Sequence, residues 1–576
     1  MVRLRIGALV AATAIIFAAC GGAASPSPAG STAASPPASG PATSGEPSPS
    51  ASAAIKEGGS IVVGLPGDMV LADPSLVSDS NSSYIQLNVI EGLLGVKAGT
   101  LSDIEPVLAE SIPEPSADGL TYTFKLRTGI KFHDGTDFNA EAVVYNYERQ
   151  KNAPAELRDA YNYYFGAVFG WAEDSNLASV TAVDATTVEF KLKAPQSNFL
   201  IAQAPLPQFG IQSPTALKAG DADNPDPSKS PYAQGQGNGM VGTGPFKFKE
   251  WTPADHVTIE KNADYWNAER IPHLDEVIFK PYADQAAELN ALEAGDIDLA
   301  QTIAPNDIAS LSSNAEFQVI DRGESCNVGG LWMNHTYKPI DNQNIRRAIG
   351  YALNKQSYID TFYAGLAEPA DNWMPPATQY YKALGLPTYD PEKAKSEIAA
   401  ANLDTTGDSL TIDFWYPSDV ARPYMPDPKG LAEAIASDLE AVGFTINFHT
   451  SGWRTGYLAD EAVGKYEMFL LGWTCDWPGP DNFLVTAFFH FQGTEPNPEF
   501  AYGPPALKTA FDTGLSAANE ADAQAAWEQA QDILATDLPT VPLVNSEPRA
   551  AGKASIRGFT GAGNLNELFN TVWLAE

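Results

Sequence analysis

The sequence predicts an α/β protein of two lobes joined by crossing strands. A length of 576 residues with 44% hydrophobic and 10% aromatic side chains suffices for two or more packed cores. Through the second half, apolar strand segments alternate with amphipathic helices, a pattern that builds a largely parallel sheet covered on both faces. The apolar segment NVGGLWMN (327–334) and a second one after residue 540 read as strands that pass from one lobe to the other. A cleft between lobes joined in this way is where a small ligand binds.

The chain opens on Arg3 and Arg5, an apolar run at 6–17 and small residues ending in Cys20. This reads as a secretory signal over 1–19, too short to span a membrane. The run FAAC (17–20) resembles the bacterial lipoprotein box, in which the cysteine carries lipid; an ordinary signal cut elsewhere is the alternative. Residues 21–54 are almost entirely Ala, Ser, Pro, Gly and Thr, which cannot bury a core. Residues 20–57 are therefore expected to form an anchored, extended stalk.

After the stalk, GGSIVVGLPGD (58–68) predicts a buried strand at Ile61 and Val63 running into a Gly-Pro-Gly turn. In the segment 120–150, Tyr122, Phe124 and Leu126 alternate as a strand, and Asn139 with Glu141 two residues on starts a helix. Val180 and Val183, a turn at Asp184, then Val188, Phe190 and Leu192 predict a hairpin. Leu289 and Leu292 share a helical stripe that Gly295 ends. Beyond Cys326, the stripe Ile345, Ala348, Ile349, Ala352, Leu353 predicts one helix running to Gly365. Asp390 with Pro391 starts the next helix, and Gly443 stops a later one.

Composition removes several function classes. With 71 acidic and 35 basic side chains, a net charge of −36 opposes binding to nucleic acid or to an anionic membrane surface. GNGMVG (237–242) has the spacing of a dinucleotide fingerprint, but it precedes a strand instead of following one. The histidines at 133, 256, 273, 335, 449 and 490 form no HExxH pair, and no GxSxG elbow occurs. No catalytic or metal constellation stands out, so no enzyme activity, metal or cofactor is expected, although 71 acids leave a glycosidase-type carboxylate pair open.

Two charged residues sit in unusual company. Asp476, in MFLLGWTCDWPGPDNF (468–483), is flanked by Trp473, Cys475 and Trp477, where a carboxylate is poorly hydrated and needs a partner. Arg422, in ARPYMPDPKG (421–430), lies in a proline-stiffened loop between a strand and a helix start, where ligand clefts of α/β lobes are lined. A turn aspartate and a surface ion pair are the plain readings. Together the two residues suggest a zwitterion site, Asp476 for an ammonium and the planar fork of Arg422 for a carboxylate. Beyond Cys20 only Cys326 and Cys475 remain, enough for one bridge across the crossing strands or for two buried free thiols.

Many ordered motifs carry a family resemblance from residue 58 to the C-terminus: YTFKLRTGIKFHDGTDFNAEAVVYNYERQ, VGTGPFKF, NADYW, AGDIDL, KPIDNQNIRRAIGYALNK, YDPEKAK, RPYMPDPKGLAEAI and GWTCDWPGPDNF. The chain resembles solute-binding family 5, the lipoproteins that deliver peptides, nickel chelates and related solutes to ABC importers, and most of all its dipeptide-binding branch. The resemblance implies a large two-lobed periplasmic-binding-protein (Venus-flytrap) fold. Lobe 1 would span 58–325 and 546–576, with a subdomain inserted at about 84–239, and lobe 2 would span 326–545. It gives Arg422 the peptide carboxylate and Asp476 the amino group, with Trp473, Thr474 and Cys475 offering main-chain groups and the Trp rings forming walls. The branch carries a Ser-Glu-Gly-Ser run where this chain has LPGD (65–68), a departure from the pattern at the turn where Gly67 and Asp68 would line the other half of the pocket. Implied partners are a peptide, the ABC permease and ATPase, and a membrane reached through lipid on Cys20, for a monomer. Other solutes of the same fold (oligosaccharide, nickel chelate, haem), a sensing role and a secreted hydrolase are the alternatives.

Overall fold

A computed structural model describes residues 55–575 apart from 173–174, 238 and 404–409, so Cys20 and the stalk expected before residue 55 lie outside the described residues. Two large sheets organise the chain. In the first, the order is Phe317–Asp321, Arg549–Lys553, Leu299–Ala300, Ser60–Leu65, Glu276–Pro281, His256–Lys261, Phe246–Thr252. The strand Ser60–Leu65 lies inside it, parallel to both neighbours, and buries Ile61 and Val63 completely, as their spacing predicts. In the second, the order is Ala367–Pro369, Val541–Ser546, Asn327–Met333, Met468–Thr474, Thr411–Pro417, Thr445–Ser451.

The chain passes between the sheets twice, through residues 322–326 and again through 547–548. Arg322 anchors the first passage. Its Nε and Nη2 donate to Glu567 Oε1 and Oε2 at 2.6 and 3.0 Å, and its Nη1 donates to the Gln301 carbonyl at 2.7 Å. Both side chains of this pair are fully buried, and a buried charge is tolerated only with such complete pairing.

Inserted in the first lobe is a three-stranded antiparallel sheet, Thr121–Lys125, Thr187–Leu192 and Leu177–Asp184, packed by the helix Ala140–Lys151. It has its own apolar cluster, which includes Phe124, Phe165, Phe190 and Phe199. The local signals for helices hold: Asn139 accepts from the Ala142 amide, Asp390 from the Lys393 amide, and Gly295 and Gly443 close their helices with φ of 83° and 115°.

Four expectations are corrected. The second sheet is mixed, not largely parallel, because Asn327–Met333 enters from the first lobe and runs antiparallel to both Met468–Thr474 and Val541–Ser546. The long helix predicted to Gly365 is two, Gln343–Ala352 and Lys355–Phe362, since Leu353 is extended and Asn354 caps the second. Val183 is 59% exposed, because a register shift between Ala182 and Asp184 turns it out of the alternation. Cys475 belongs to no crossing segment; it immediately follows the strand Met468–Thr474, which lies in the interior of the second sheet.

Candidate functional site

Two facing glycines shape the floor. Gly329 and Gly472 are register partners on neighbouring strands, and the 421–427 loop lies directly on them. A Cβ on Gly472 would come within 2.4 Å of the Tyr424 ring, and one on Gly329 within 2.5 Å of the Tyr424 carbonyl. Tyr363 donates its hydroxyl to that carbonyl at 2.8 Å, and the backbones of Arg422 and Met425 bond to each other at 3.1 and 2.8 Å. The loop is thus pinned at its middle and its ends, which fixes where Arg422 stands.

The Arg422 guanidinium lies 5.3 Å from the Trp453 ring centroid, and on this half-buried residue the buried Nε has no hydrogen-bond partner. Among the described residues no acid pairs with it. It borders a narrow space of about 30 Å³ that Gln285, Thr302, Tyr363, Glu547 and Arg549 also line, so both lobes and the second crossing meet there. The neighbouring Arg549 is already engaged, by Glu547 at 2.9 Å and Asp321 at 3.4 Å. Arg422 is therefore the cation with capacity for an anion, supported from behind by an aromatic face.

At the exit of Met468–Thr474, Cys475 is bonded to Cys326, with Cα atoms 5.5 Å apart. Its amide donates to the Cys326 carbonyl at 2.7 Å, so Cys475 has no free main-chain N–H for a ligand, contrary to expectation. The next residue is Asp476. Its Oδ1 accepts the Tyr164 hydroxyl at 2.7 Å and its Oδ2 accepts Asn482 Nδ2 at 3.0 Å. Asn482 Oδ1 in turn accepts the Asp476 amide at 3.0 Å and Trp473 Nε1 at 3.1 Å. Every partner of the carboxylate is neutral, and among the described residues no cation pairs with it. Lost hydration lifts its pKa from 3.8 to about 6, against the lowering effect of the Asn482, Tyr164 and Trp473 hydrogen bonds.

Tyr164 and Asn482 are site residues that the sequence reading does not single out. Asn482 sits in the same GPDNF turn as Asp476, where an amide six residues on is the available signal, and it heads a π-helical segment, Asn482–Phe488. Tyr164 comes from the inserted subdomain, 312 residues away in sequence, and nothing local marks it. Trp473 and Thr474 stand half-buried beside Asp476, with Thr474 in register with Asn327. Trp477 is fully buried and no wall of a ligand space.

Gly67 and Asp68 belong to the scaffold instead of this site. Asp68 Oδ1 accepts the Met69 amide at 2.7 Å and Trp251 Nε1 at 3.1 Å, and its Oδ2 accepts the Ala254 amide at 2.7 Å. This carboxylate ties its turn to the hairpin of Phe246–Thr252 and His256–Lys261 with both oxygens engaged. Gly67 abuts Asn81, whose Nδ2 would lie 2.6 Å from an added Cβ.

The sequence profile of the bacterial extracellular solute-binding proteins, family 5 Middle, matches residues 103–495. The chain belongs to that family. Among curated relatives, a glutathione-binding protein GsiB from Escherichia coli O1:K1 / APEC is 30% identical over 508 residues, covering 87% of this chain and 91% of the relative. The periplasmic binding protein DppA from Helicobacter pylori, solved with the peptide STSA, superposes with a TM-score of 0.74 at 27% identity, over 90% of this chain and 99% of its own. A dipeptide-binding protein from Pseudoalteromonas sp. SM9913, solved with Met-Leu, gives 0.76 at 23% identity, over 90% and 100%, a likeness of fold. This family 5 member is an extracytoplasmic solute-binding protein with the two-lobed fold. No helix among its described residues is long and apolar enough to cross a membrane.

Proposed function

We propose that this solute-binding protein captures di- or short oligopeptides between its lobes and hands them to the permease and ATPase of an ABC importer. The observation that carries the reading is a pair of poles with no counter-charge among the described residues: Asp476, an anion with neutral partners, and Arg422, a cation with only the Trp453 ring beside it. A free peptide presents the complementary ammonium and carboxylate. STSA and Met-Leu, held by the two solved relatives, are such zwitterions. Glutathione is a second reading, favoured by the GsiB likeness over most of the chain; it adds a second carboxylate to the same two poles. Titration calorimetry with a dipeptide set and with glutathione decides between them, and heat from neither removes the peptide reading.

The carboxylate pole has its own expected result. Arg422→Met should weaken a free dipeptide about tenfold, the scale of one charge-assisted hydrogen bond. A C-terminally amidated peptide should bind the native protein poorly and lose little more in the variant. Equal native affinity for free and amidated peptides would reduce Arg422 to a stacking partner of Trp453.

The proposal extends to the N-terminus, where Cys20 is the lipid-bearing first residue that tethers a monomer to the membrane through the stalk. Cys20→Ala should move the protein into the soluble fraction. Mass spectrometry that finds an unmodified N-terminus at another residue ends the anchor claim.

A further inference from the structure

The loop that presents Asp476 does not stay within its own lobe. Trp477 is fully buried, and every other buried member of its apolar cluster lies within residues 93–241, the inserted subdomain of the first lobe. Its indole N–H donates to Asp481 Oδ2 at 2.9 Å, and the same oxygen accepts Asn198 Nδ2 from the subdomain at 2.6 Å. Beside it, the Ser197 amide and hydroxyl donate to the carbonyls of Leu515 and Gly514, each at 2.9 Å. Gly479 makes the turn that folds Asp481 back onto the indole: a Cβ there would lie 2.4 Å from Asp481 Oδ1 and 2.9 Å from Trp477 Cδ1.

We infer that Trp477 is a positioning residue, an indole carried by the second lobe and seated in the core of the first, which locks the lobes together and holds Asp476 against Tyr164. Asp476 immediately precedes it in the chain, so the lobes cannot part without drawing the indole into water and the carboxylate away from the Tyr164 hydroxyl. Closure and the grip on the ammonium pole are then one event. The lock rests on the solute-binding reading of the fold, not on which solute is bound. Asn198 and Asp481 are its polar rim, and the large apolar ring supplies most of its hold.

The test compares native protein with Trp477→Ala, Trp477→Phe and Asn198→Ala by small-angle X-ray scattering without added peptide, and by stopped-flow dissociation of a dipeptide. Trp477→Ala should show a larger radius of gyration than native protein. It should also release the dipeptide about tenfold to a hundredfold faster, the range expected for removing a buried aromatic anchor, with association changed far less. Trp477→Phe should restore most of both readouts, because a ring still fills the socket. If Trp477→Ala does not fold, Asn198→Ala carries the test and should show the same opening in smaller measure. Scattering curves identical to native for every folded variant overturn the lock. Because scattering needs no ligand, a protein that opens as expected yet binds no peptide keeps the lock and removes only the peptide reading.

Discussion

Asp476→Asn should weaken a free dipeptide by at least about tenfold and up to about a hundredfold, since a hydrogen bond to a charged partner contributes ~1.5 to 3 kcal/mol and 1.4 kcal/mol is a factor of ten. The substitution keeps the shape of the side chain, and Tyr164 and Asn482 can still bond to it, so the fold is expected to survive. N-acetylated peptide supplies the control: lacking an ammonium, it should bind native protein weakly and lose little further in the variant. The pH dependence has a definite sign. Asp476 has a pKa raised to about 6, and the ammonium needs the ionised form, so affinity should be full above that value. Below it, affinity should fall by at most about tenfold per pH unit, a slope absent from Asp476→Asn. For the stability of the empty fold the same shift works in the opposite sense. A carboxyl raised from 3.8 to about 6 contributes stability that is complete below 3.8 and lost as pH rises through about 6, and Asp481, also raised to about 6 by burial, adds to it. Calorimetry showing equal native affinity for acetylated and free peptides would make Asp476 a structural turn residue.

Removing the bridge between Cys326 and Cys475, by replacing both with serine, should cost the second lobe about 3 to 5 kcal/mol. The bond closes a loop of 149 residues, and a loop of that length restricts the unfolded chain strongly. With roughly 2 to 4 °C lost per kcal/mol for a unit of this size, the melting temperature should drop by about 10 °C. The bridge also fastens the last residue of the first crossing to the residue that precedes Asp476. Binding should therefore weaken in the variant even at temperatures where it remains folded. Scanning calorimetry of native and double-serine protein reads the effect, and unchanged melting with unchanged affinity would show that the Cys475–Cys326 backbone bond alone holds the strand exit.

What the sequence made legible was local in its physics. Asn139, Asp390 and Gly443 act on their own helix ends, so their effects can be read without knowing the rest of the fold. The alternation around Ile61 and Val63 announced a buried strand for the same reason. The misses came from distance. Val183 was turned out by a register shift against its partner strand, and Asp68 was claimed by Trp251 and Ala254 from a hairpin far along the chain. Arg422 and Asp476 stood out because charge among prolines and tryptophans is unusual. Tyr164 did not, because a tyrosine in an aromatic run looks like ordinary core, and Trp477 reads as a wall beside Asp476 because its seat in the other lobe is invisible until the two lobes are brought together.

The buried pair of Arg322 and Glu567 bears on the order in which the protein is made. The strand Ser60–Leu65 is among the first structured elements to emerge, yet its sheet is incomplete until Arg549–Lys553 slots between Leu299–Ala300 and Phe317–Asp321. Arg322 lacks its ion-pair partner until Glu567 arrives, and Tyr84 waits across 483 residues for the same carboxylate, which it meets at 2.8 Å. Contacts of such sequence separation form late. A nascent chain delivered from its N-terminus is therefore expected to leave this part of the first lobe incomplete, and Arg322 without its ion-pair partner, until Glu567 has been added. A protein that works outside the cytoplasm is expected to gain from this late completion, since the lobe sets only after residue 567 has joined it.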